Sequence, residues 1–290
     1  MTIAVTDIKK FVGEIRPDWC PGCGDFGVLN ALQRALAELK LEPKDVLVVS
    51  GIGCSSNLPG FTTTYGFHGI HGRALPVATA AKLANHKLEV VVTVGDGDGY
   101  GIGMGHFIHA MRRNPDITMI VMDNQIYGLT TGQASPTSMK GHKTKSTPYG
   151  VVDEPINPIA LAIAGGATYV ARGFSGDPAH LAMLIKNGIL HKGFALIDVF
   201  SPCVTFNKLN TYDWFRQRIY KLEDVGHNPK DIDEAFKKAR EFGPKIPIGL
   251  FYVTEKPTYT DYFEILKDIP LVNQPLPSEE EAKEILEEFL

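Results

Sequence analysis

Four cysteines and one glycine–aspartate run carry most of the chemistry this sequence can offer. The cysteines are Cys20, Cys23, Cys54 and Cys203. Cys20-Pro-Gly-Cys23 is a CxxC, the spacing of half a metal site or of a thioredoxin-like redox pair. A structural zinc site more often shows a second CxxC or a paired histidine motif. Here the other two cysteines stand alone, each just after a strand-like run, DVLVVSGIG before Cys54 and FALIDVFSP before Cys203. Carboxyl ends of strands in an open α/β sheet gather ligands on one edge. Four thiols could therefore meet around one metal or iron–sulfur centre. The competing reading makes Cys54 and Cys203 small buried hydrophobes. Spacing alone does not separate zinc from iron–sulfur.

The second constellation is VVVTVGDGDGYGIGMGHFIHAMRRN, a strand, a glycine turn and a helix. Such a turn aims backbone N–H groups and a helix N-terminus at a phosphate. One reading is a dinucleotide fold with Asp123, at the next strand end, as the ribose acid. The glycines fit that fingerprint poorly, because Gly95, Gly97, Gly99 and Gly101 recur at every second residue. Asp96 and Asp98 would also stand where the pyrophosphate lies, and bare carboxylates repel it. A cation removes that objection. Mg²⁺ takes oxygen ligands and bridges carboxylate to phosphate, with Asp96 as one ligand and Asn124, at the neighbouring strand end, as another. His106 and His109 share a helix face in this run; packing near that helix competes with metal binding as their role.

The elements that must position these residues follow from hydrophobic spacing. Helices are predicted at Val28–Leu39, Ala78–Asn85, Gly103–Arg113, Pro158–Ala164 and Pro178–His191. Strands are predicted at Val46–Ser50, Leu88–Val94, Ile117–Met122, Thr168–Ala171 and Ala195–Phe200. Residues 55–76 read as a long functional loop and Asn124–Pro155 as a second polar loop. Strands alternating with helices imply an α/β fold with a doubly wound parallel sheet and helices on both faces. Beyond Cys203 the pattern changes, with a strand-like Ile248–Val253 and an acidic helix Glu279–Leu290. The division expected is one α/β domain over residues 1–205 and an irregular C-terminal extension over residues 206–290.

Composition narrows the function classes. The 290 residues are 44% hydrophobic and 21% charged, with a formal net charge of −4. That leaves no basic footprint for nucleic acid and no polybasic membrane anchor. No apolar run approaches the roughly 20 residues that span a bilayer, and MTIAVTDIKKF does not read as a signal peptide. A cytoplasmic protein is expected.

Gly95-Asp96-Gly97, followed after 26 residues by Asn124, resembles the thiamine-diphosphate motif. The resemblance implies that the Asp96 and Asn124 side chains and the Ile126 carbonyl hold Mg²⁺. Around it stand WCPGCG at 19–24, GIGCS at 51–55, HGRALPVATAAKLA at 71–84, GDGD at 95–98, HFIHAMRRN at 106–114 and DNQIYGLTTGQASPT at 123–137. Over about residues 16–205 this run resembles the β subunit of the 2-oxoacid:ferredoxin oxidoreductases. The resemblance assigns Cys20, Cys23, Cys54 and Cys203 to a 4Fe–4S cluster. It puts Ile52, Gly53, Cys54 and Ser55 at the cofactor turn, and Gly97, Asp98, Gly128 and Leu129 at the diphosphate. His71 becomes a cofactor contact, although a histidine in HGFHGIHGR is by itself more often a loop or core residue.

The activity implied is oxidative decarboxylation of a 2-oxoacid with coenzyme A, electrons leaving through the cluster to ferredoxin. The 2-oxoglutarate branch is the closest resemblance, with pyruvate or a broad range of 2-oxoacids as alternatives. A nicotinamide-dependent dehydrogenase with a four-cysteine zinc site is the rival from another class. The 87 residues after Cys203 are too few for a second full α/β domain, so an α subunit is expected to bring the pyrimidine-binding domain and its activating glutamate, in an αβ pair that dimerises further. Thr131 stands where some relatives carry a lysine implicated in coenzyme A handling. Lys140, Lys143 and Lys145 are substitutes for it, and with Arg73 they are candidates for the distal carboxylate of 2-oxoglutarate; a solvated basic loop is the plainer reading of the three lysines.

Overall fold

The computed structural model describes residues 8–289. Its strands are β1 (Val46–Ser50), β2 (Tyr65–His68), β3 (Glu89–Gly95), β4 (Ile117–Asp123), β5 (Tyr169–Phe174), β6 (Phe194–Phe200), β7 (Ile219–Lys221) and β8 (Ile246–Val253). They form one sheet in the order β2-β1-β3-β4-β6-β5-β8-β7. Every pairing is parallel except that of β5 with β8. The principal helices are α1 (Asp25–Glu38), α2 (Ala74–Ala84), α3 (Met104–Arg113), α4 (Pro158–Gly165) and α5 (Pro178–Leu190).

Alternation along the strands feeds two cores. Val91 and Ile120 turn to the face covered by α1 and α5, where Leu32, Leu36, Leu181 and Ile185 meet them. Val90, Val92, Met119 and Val121 turn to the opposite face, against Phe107, Met111 and Ile159 of α3 and α4. Strands buried on both faces read as continuous apolar runs, and helices on both sides make the sheet doubly wound. The architecture expected from the sequence is present.

Two parts of the expectation need correcting. Residues 55–76 are not one loop: Cys54–Phe61 winds into tight helical turns, and β2 adds an edge strand parallel to β1. All four β2 residues are exposed, so no buried face marked that strand. The sheet also continues beyond residue 205, through β8 and through β7, which pairs with it. Among the described residues no helix is long and apolar enough to cross a membrane.

The strand order has one consequence for chemistry. β1, β3, β4 and β6 are successive neighbours and parallel, so the segments after them (51–55, 96–98, 124–126 and 201–203) leave the sheet at the same edge. The N-terminus of α1 is tied to that edge. Gly24 N–H donates to the Pro202 carbonyl at 3.1 Å and Ser201 Oγ donates to Asp25 Oδ1 at 2.7 Å.

Candidate functional site

All four cysteines line one cavity of about 250 Å³, whose wall also includes Trp19, Asn124, Gly128 and Leu129. The CxxC closes on itself, Cys23 N–H donating to the Cys20 carbonyl at 2.9 Å. The turn carrying Cys54 is held by Trp19, whose indole Nε1 donates to the Cys54 carbonyl at 2.7 Å. Trp19 is itself wedged edge-on between Phe26 and Phe61. None of the four is in a disulfide. Among the described residues no group of three or more His, Cys, Asp or Glu is gathered as for a single metal ion. Burial, then the nearby Asp25 carboxylate, pushes the Cys54 thiol up to about 11; the same causes raise Cys23 further. Thiols in such surroundings become thiolates when a cationic group shares the cavity.

The glycine–aspartate run leaves β3 as a wide turn over Gly97–Ile102 that leads into α3. Tyr127 lies flat on this turn, its hydroxyl donating to the Gly97 carbonyl at 3.0 Å. A side chain at Gly97 would put Cβ 2.1 Å from the Tyr127 ring, which is why only glycine serves there. Asp96 is buried and bonded to Thr137, whose Oγ1 lies 2.6 Å from Asp96 Oδ2 and 2.8 Å from Asp123 Oδ1. A hydroxyl has one hydrogen to donate, so both bonds form only when one of the carboxyls is protonated. Burial, with the Asp198 and Asp96 carboxylates close by, holds Asp123 well above the usual carboxylate range. Burial raises Asp96 less, to about 6. Asp123 is thus enclosed and engaged with Thr137 and Gln125 N–H, which removes it as a ribose acid and removes the dinucleotide reading with it.

Asn124 opens an Asx turn, its Oδ1 accepting Ile126 N–H at 3.0 Å. Gln125 between them is left-handed, with φ of 59°. Asn207 Nδ2 donates to the Asn124 carbonyl at 3.0 Å. The donor set of a carboxylate, an amide oxygen and a main-chain carbonyl is the hard-oxygen chemistry that Mg²⁺ requires. The chain then closes a small loop over residues 127–133, joined by Tyr127 N–H to the Gln133 carbonyl at 2.8 Å. Gly128 in this loop links the two halves of the site. A Cβ built there would stand 3.6 Å from Cys203 Sγ, 3.8 Å from Cys54 Sγ and 3.9 Å from Asn124 Nδ2. Ser55 reaches the other half, with Oγ 3.2 Å from the corresponding point at Gly95.

Other sequence candidates fall differently. Asp98 turns its carboxylate onto Ile52, His71 and Gly72 of the protein itself, so any diphosphate contact at this residue belongs to its backbone N–H. Lys140 pairs with Glu154 on the surface, and Lys143 and Lys145 are exposed. Arg73 is exposed beside the Gly72 turn. His109 is exposed, and His106 is lowered by burial and by Arg73. Thr137, Trp19, Asn207 and the Asp25–Ser201 pair have no place among the residues that motif and spacing single out. Trp19 and Thr137 had a signal only as end letters of WCPGCG and DNQIYGLTTGQASPT.

Two family models match the chain. "Thiamine pyrophosphate enzyme, C-terminal TPP binding domain" covers residues 51–199. A model of the C-terminal part of the pyruvate ferredoxin oxidoreductase β chain covers residues 203–268. The β subunit of a 2-oxoacid:ferredoxin oxidoreductase from Aeropyrum pernix is 48% identical over 270 residues, 89% of this chain and 85% of that one. A second such β subunit, from a Sulfolobus species, is 50% identical over 269 residues, 84% of this chain and 88% of that one. Among solved structures, a 2-oxoglutarate:ferredoxin oxidoreductase from Magnetococcus marinus, with 2-oxoglutarate, coenzyme A and succinyl-CoA bound, superimposes with a TM-score of 0.90 at 41% identity. The match covers 98% of this chain and 97% of that one. Likeness of this extent, over a sheet edge that carries both the thiol cavity and the Gly-Asp-Gly turn, has one meaning: the chain belongs to the β subunits of the 2-oxoacid:ferredoxin oxidoreductases.

Proposed function

We propose that this β subunit holds thiamine diphosphate, Mg²⁺ and one 4Fe–4S cluster on a single sheet edge, and that its enzyme oxidises 2-oxoglutarate. Coenzyme A takes the acyl group and ferredoxin the electrons. The observation that carries the reading is the cavity in which Cys20, Cys23, Cys54 and Cys203 meet Asn124 and Gly128. It would put an electron acceptor beside the residues fit to hold the cofactor's metal.

In this reading Asp96, Asn124 and the Ile126 carbonyl bind Mg²⁺, whose charge offsets the repulsion between aspartates and diphosphate. Backbone N–H groups of Gly97 and Asp98, with Gly128 and Leu129, orient the diphosphate. Ile52, Gly53, Cys54 and Ser55 form the turn beside the reacting end, with His71 next to it. When bound, thiamine diphosphate supplies the electron sink for decarboxylation and the cluster a one-electron exit. The four cysteines would fix that exit in place.

An α subunit supplies the pyrimidine-binding domain and the activating glutamate, and the αβ pair dimerises into a cytoplasmic heterotetramer. The residues that would hold the cofactor and the cluster all precede residue 205, and the chain after it, which adds β7 and β8 to the same sheet, would lie against the partner. The substrate test is kcat/KM for 2-oxoglutarate against pyruvate with the complete enzyme. A pocket built for the distal carboxylate prefers 2-oxoglutarate by about 10-fold or more, roughly 1.4 kcal/mol. Equal or reversed preference would move the enzyme to the pyruvate or broad-range branch.

A further inference from the structure

Asp98 does something that the diphosphate role does not account for. Its carboxylate is almost fully buried, and one oxygen, Oδ1, collects three donors from two segments distant in sequence. Gly72 N–H donates at 2.7 Å and Ile52 N–H at 3.2 Å, and His71 Nδ1 lies at 2.5 Å. The other oxygen, Oδ2, makes no hydrogen bond and rests against Gly51, where a Cβ would stand only 1.9 Å away. Gly51 thus lets the carboxylate swing away from the phosphate side of the turn. Asp98 joins the turn after β1, which carries Cys54, to the loop before α2 and to the turn after β3.

The bond to His71 has a definite polarity. Oδ1 already faces two N–H donors, and an ionised carboxylate only accepts, so Nδ1 of the imidazole must carry a hydrogen. Whether the ring holds one proton or two, one of them is on Nδ1. This is not the tautomer a free imidazole prefers. It leaves Nε2, with no partner among the described residues, on the open side of a ring that is about one-third exposed. The ring also meets Tyr127 edge-on, with centroids 6.3 Å apart, and Tyr127 is the residue bonded to the Gly97 carbonyl. The carboxylate thereby sets both the direction and the tautomer of His71 beside the glycine turn.

We propose that Asp98 is a positioning residue of the reaction: it holds His71 with Nδ1 protonated and Nε2 presented to the reacting end of the cofactor, and it aligns the Ile52 turn with the same oxygen. This rests on the thiamine diphosphate reading above. Asp98 acts through His71 and Ile52 and leaves cofactor binding itself to Mg²⁺ and backbone N–H groups.

The test uses the assembled αβ enzyme with ¹⁵N-labelled histidine, first without added cofactor. The His71 resonances, assigned by their loss in His71→Gln, should show a ring protonated at Nδ1. In Asp98→Ala they should revert toward the Nε2–H form. With cofactor, Asp98→Ala should lower kcat by about 100-fold, the scale of a misplaced reacting group, while thiamine diphosphate affinity by fluorescence titration changes less than about 5-fold. Asp98→Asn keeps the acceptor oxygen without its charge; it should keep the Nδ1–H signature and recover most of the lost kcat. The double variant Asp98→Ala/His71→Gln should be no slower than the worse single one, because the two residues act as a unit. An Nε2–H ring in the unmodified enzyme would overturn the proposal, and so would an affinity loss in Asp98→Ala as large as its loss of kcat. Failure of the unmodified enzyme to bind thiamine diphosphate would overturn the cofactor reading instead, while the resonances of the cofactor-free protein would still report the tautomer.

Discussion

Thr131 holds φ at 75° in the small loop over residues 127–133. A β-branched residue in the left-handed region is strained by roughly 1–2 kcal/mol, and glycine relieves most of that while adding some unfolded-state entropy. Thr131→Gly should therefore raise the urea midpoint, by the equivalent of about 0.5–1 kcal/mol. A fall would mean that the threonine side chain holds something the backbone argument leaves out. At this scale, residues defined by their own chemistry were legible. The cysteines, Asp96 and Asn124 stand out by residue type and spacing, and the structure gathers all four cysteines and Asn124 at one cavity. The residues that hold them were not legible. Thr137 reaches Asp96 across 41 positions and Ser201 reaches Asp25 across 176, and no local spacing shows either bond. Asp98 was legible as important but not in role, because only the fold shows which way its carboxylate turns.

At the scale of elements, Asn114 ties four pieces of chain together. It ends α3 in the left-handed conformation with φ of 52°. Its Oδ1 accepts Phe194 N–H at 2.7 Å and the Thr168 hydroxyl at 2.9 Å, at the starts of β6 and β5. Its Nδ2 donates to the Pro257 carbonyl at 3.1 Å, in the segment after β8. Asn114→Ala leaves buried donors unpaired and a Cβ-bearing residue in a strained conformation, and should cost about 3 kcal/mol by urea unfolding. Asn114→Gly should recover the backbone part and not the hydrogen bonds, falling between the two. A loss under about 1 kcal/mol in the alanine variant would show that the ties are redundant. The central strands and their helices were legible because both periods are strong there: Val90–Val94 and Ile117–Val121 can only be buried strands. β2 was illegible because it lies exposed at the sheet edge, and β7 because three residues make no pattern. β8 was half legible: Ile248–Val253 reads as a strand, but its antiparallel seat against β5 includes a register shift between Val170 and Ala171 that leaves Phe251 without an opposite residue.

Across the whole molecule, the surface around the site is unusually apolar for a polar cofactor. Ile52, Phe67, Ile70, Ile102 and Leu129 are each between 39% and 75% exposed. An apolar rim of this kind marks a face that another chain covers, and the proposed α subunit is the chain that would also complete the cofactor site. The isolated β subunit should turn over no 2-oxoacid and should bind a hydrophobic dye, and co-expression with its α subunit should abolish the dye binding and restore turnover. Turnover by the isolated β chain would contradict the shared-site account. The parallel sheet was legible from the sequence, since strands alternating with helices imply it, but its strand order was not. The face that needs a partner was not, because an exposed isoleucine and a buried one are the same letter. The central claim is that four cysteines hold an iron–sulfur cluster beside the thiamine site. Iron and sulfide analysis with electron paramagnetic resonance of the anaerobically purified, dithionite-reduced αβ enzyme tests it most directly. The account predicts about four irons and four sulfides per β chain, a low-temperature signal from a reduced cluster, and loss of both on Cys203→Ala with the fold retained. One zinc per chain, or a full iron complement and unchanged signal in Cys203→Ala, would contradict it.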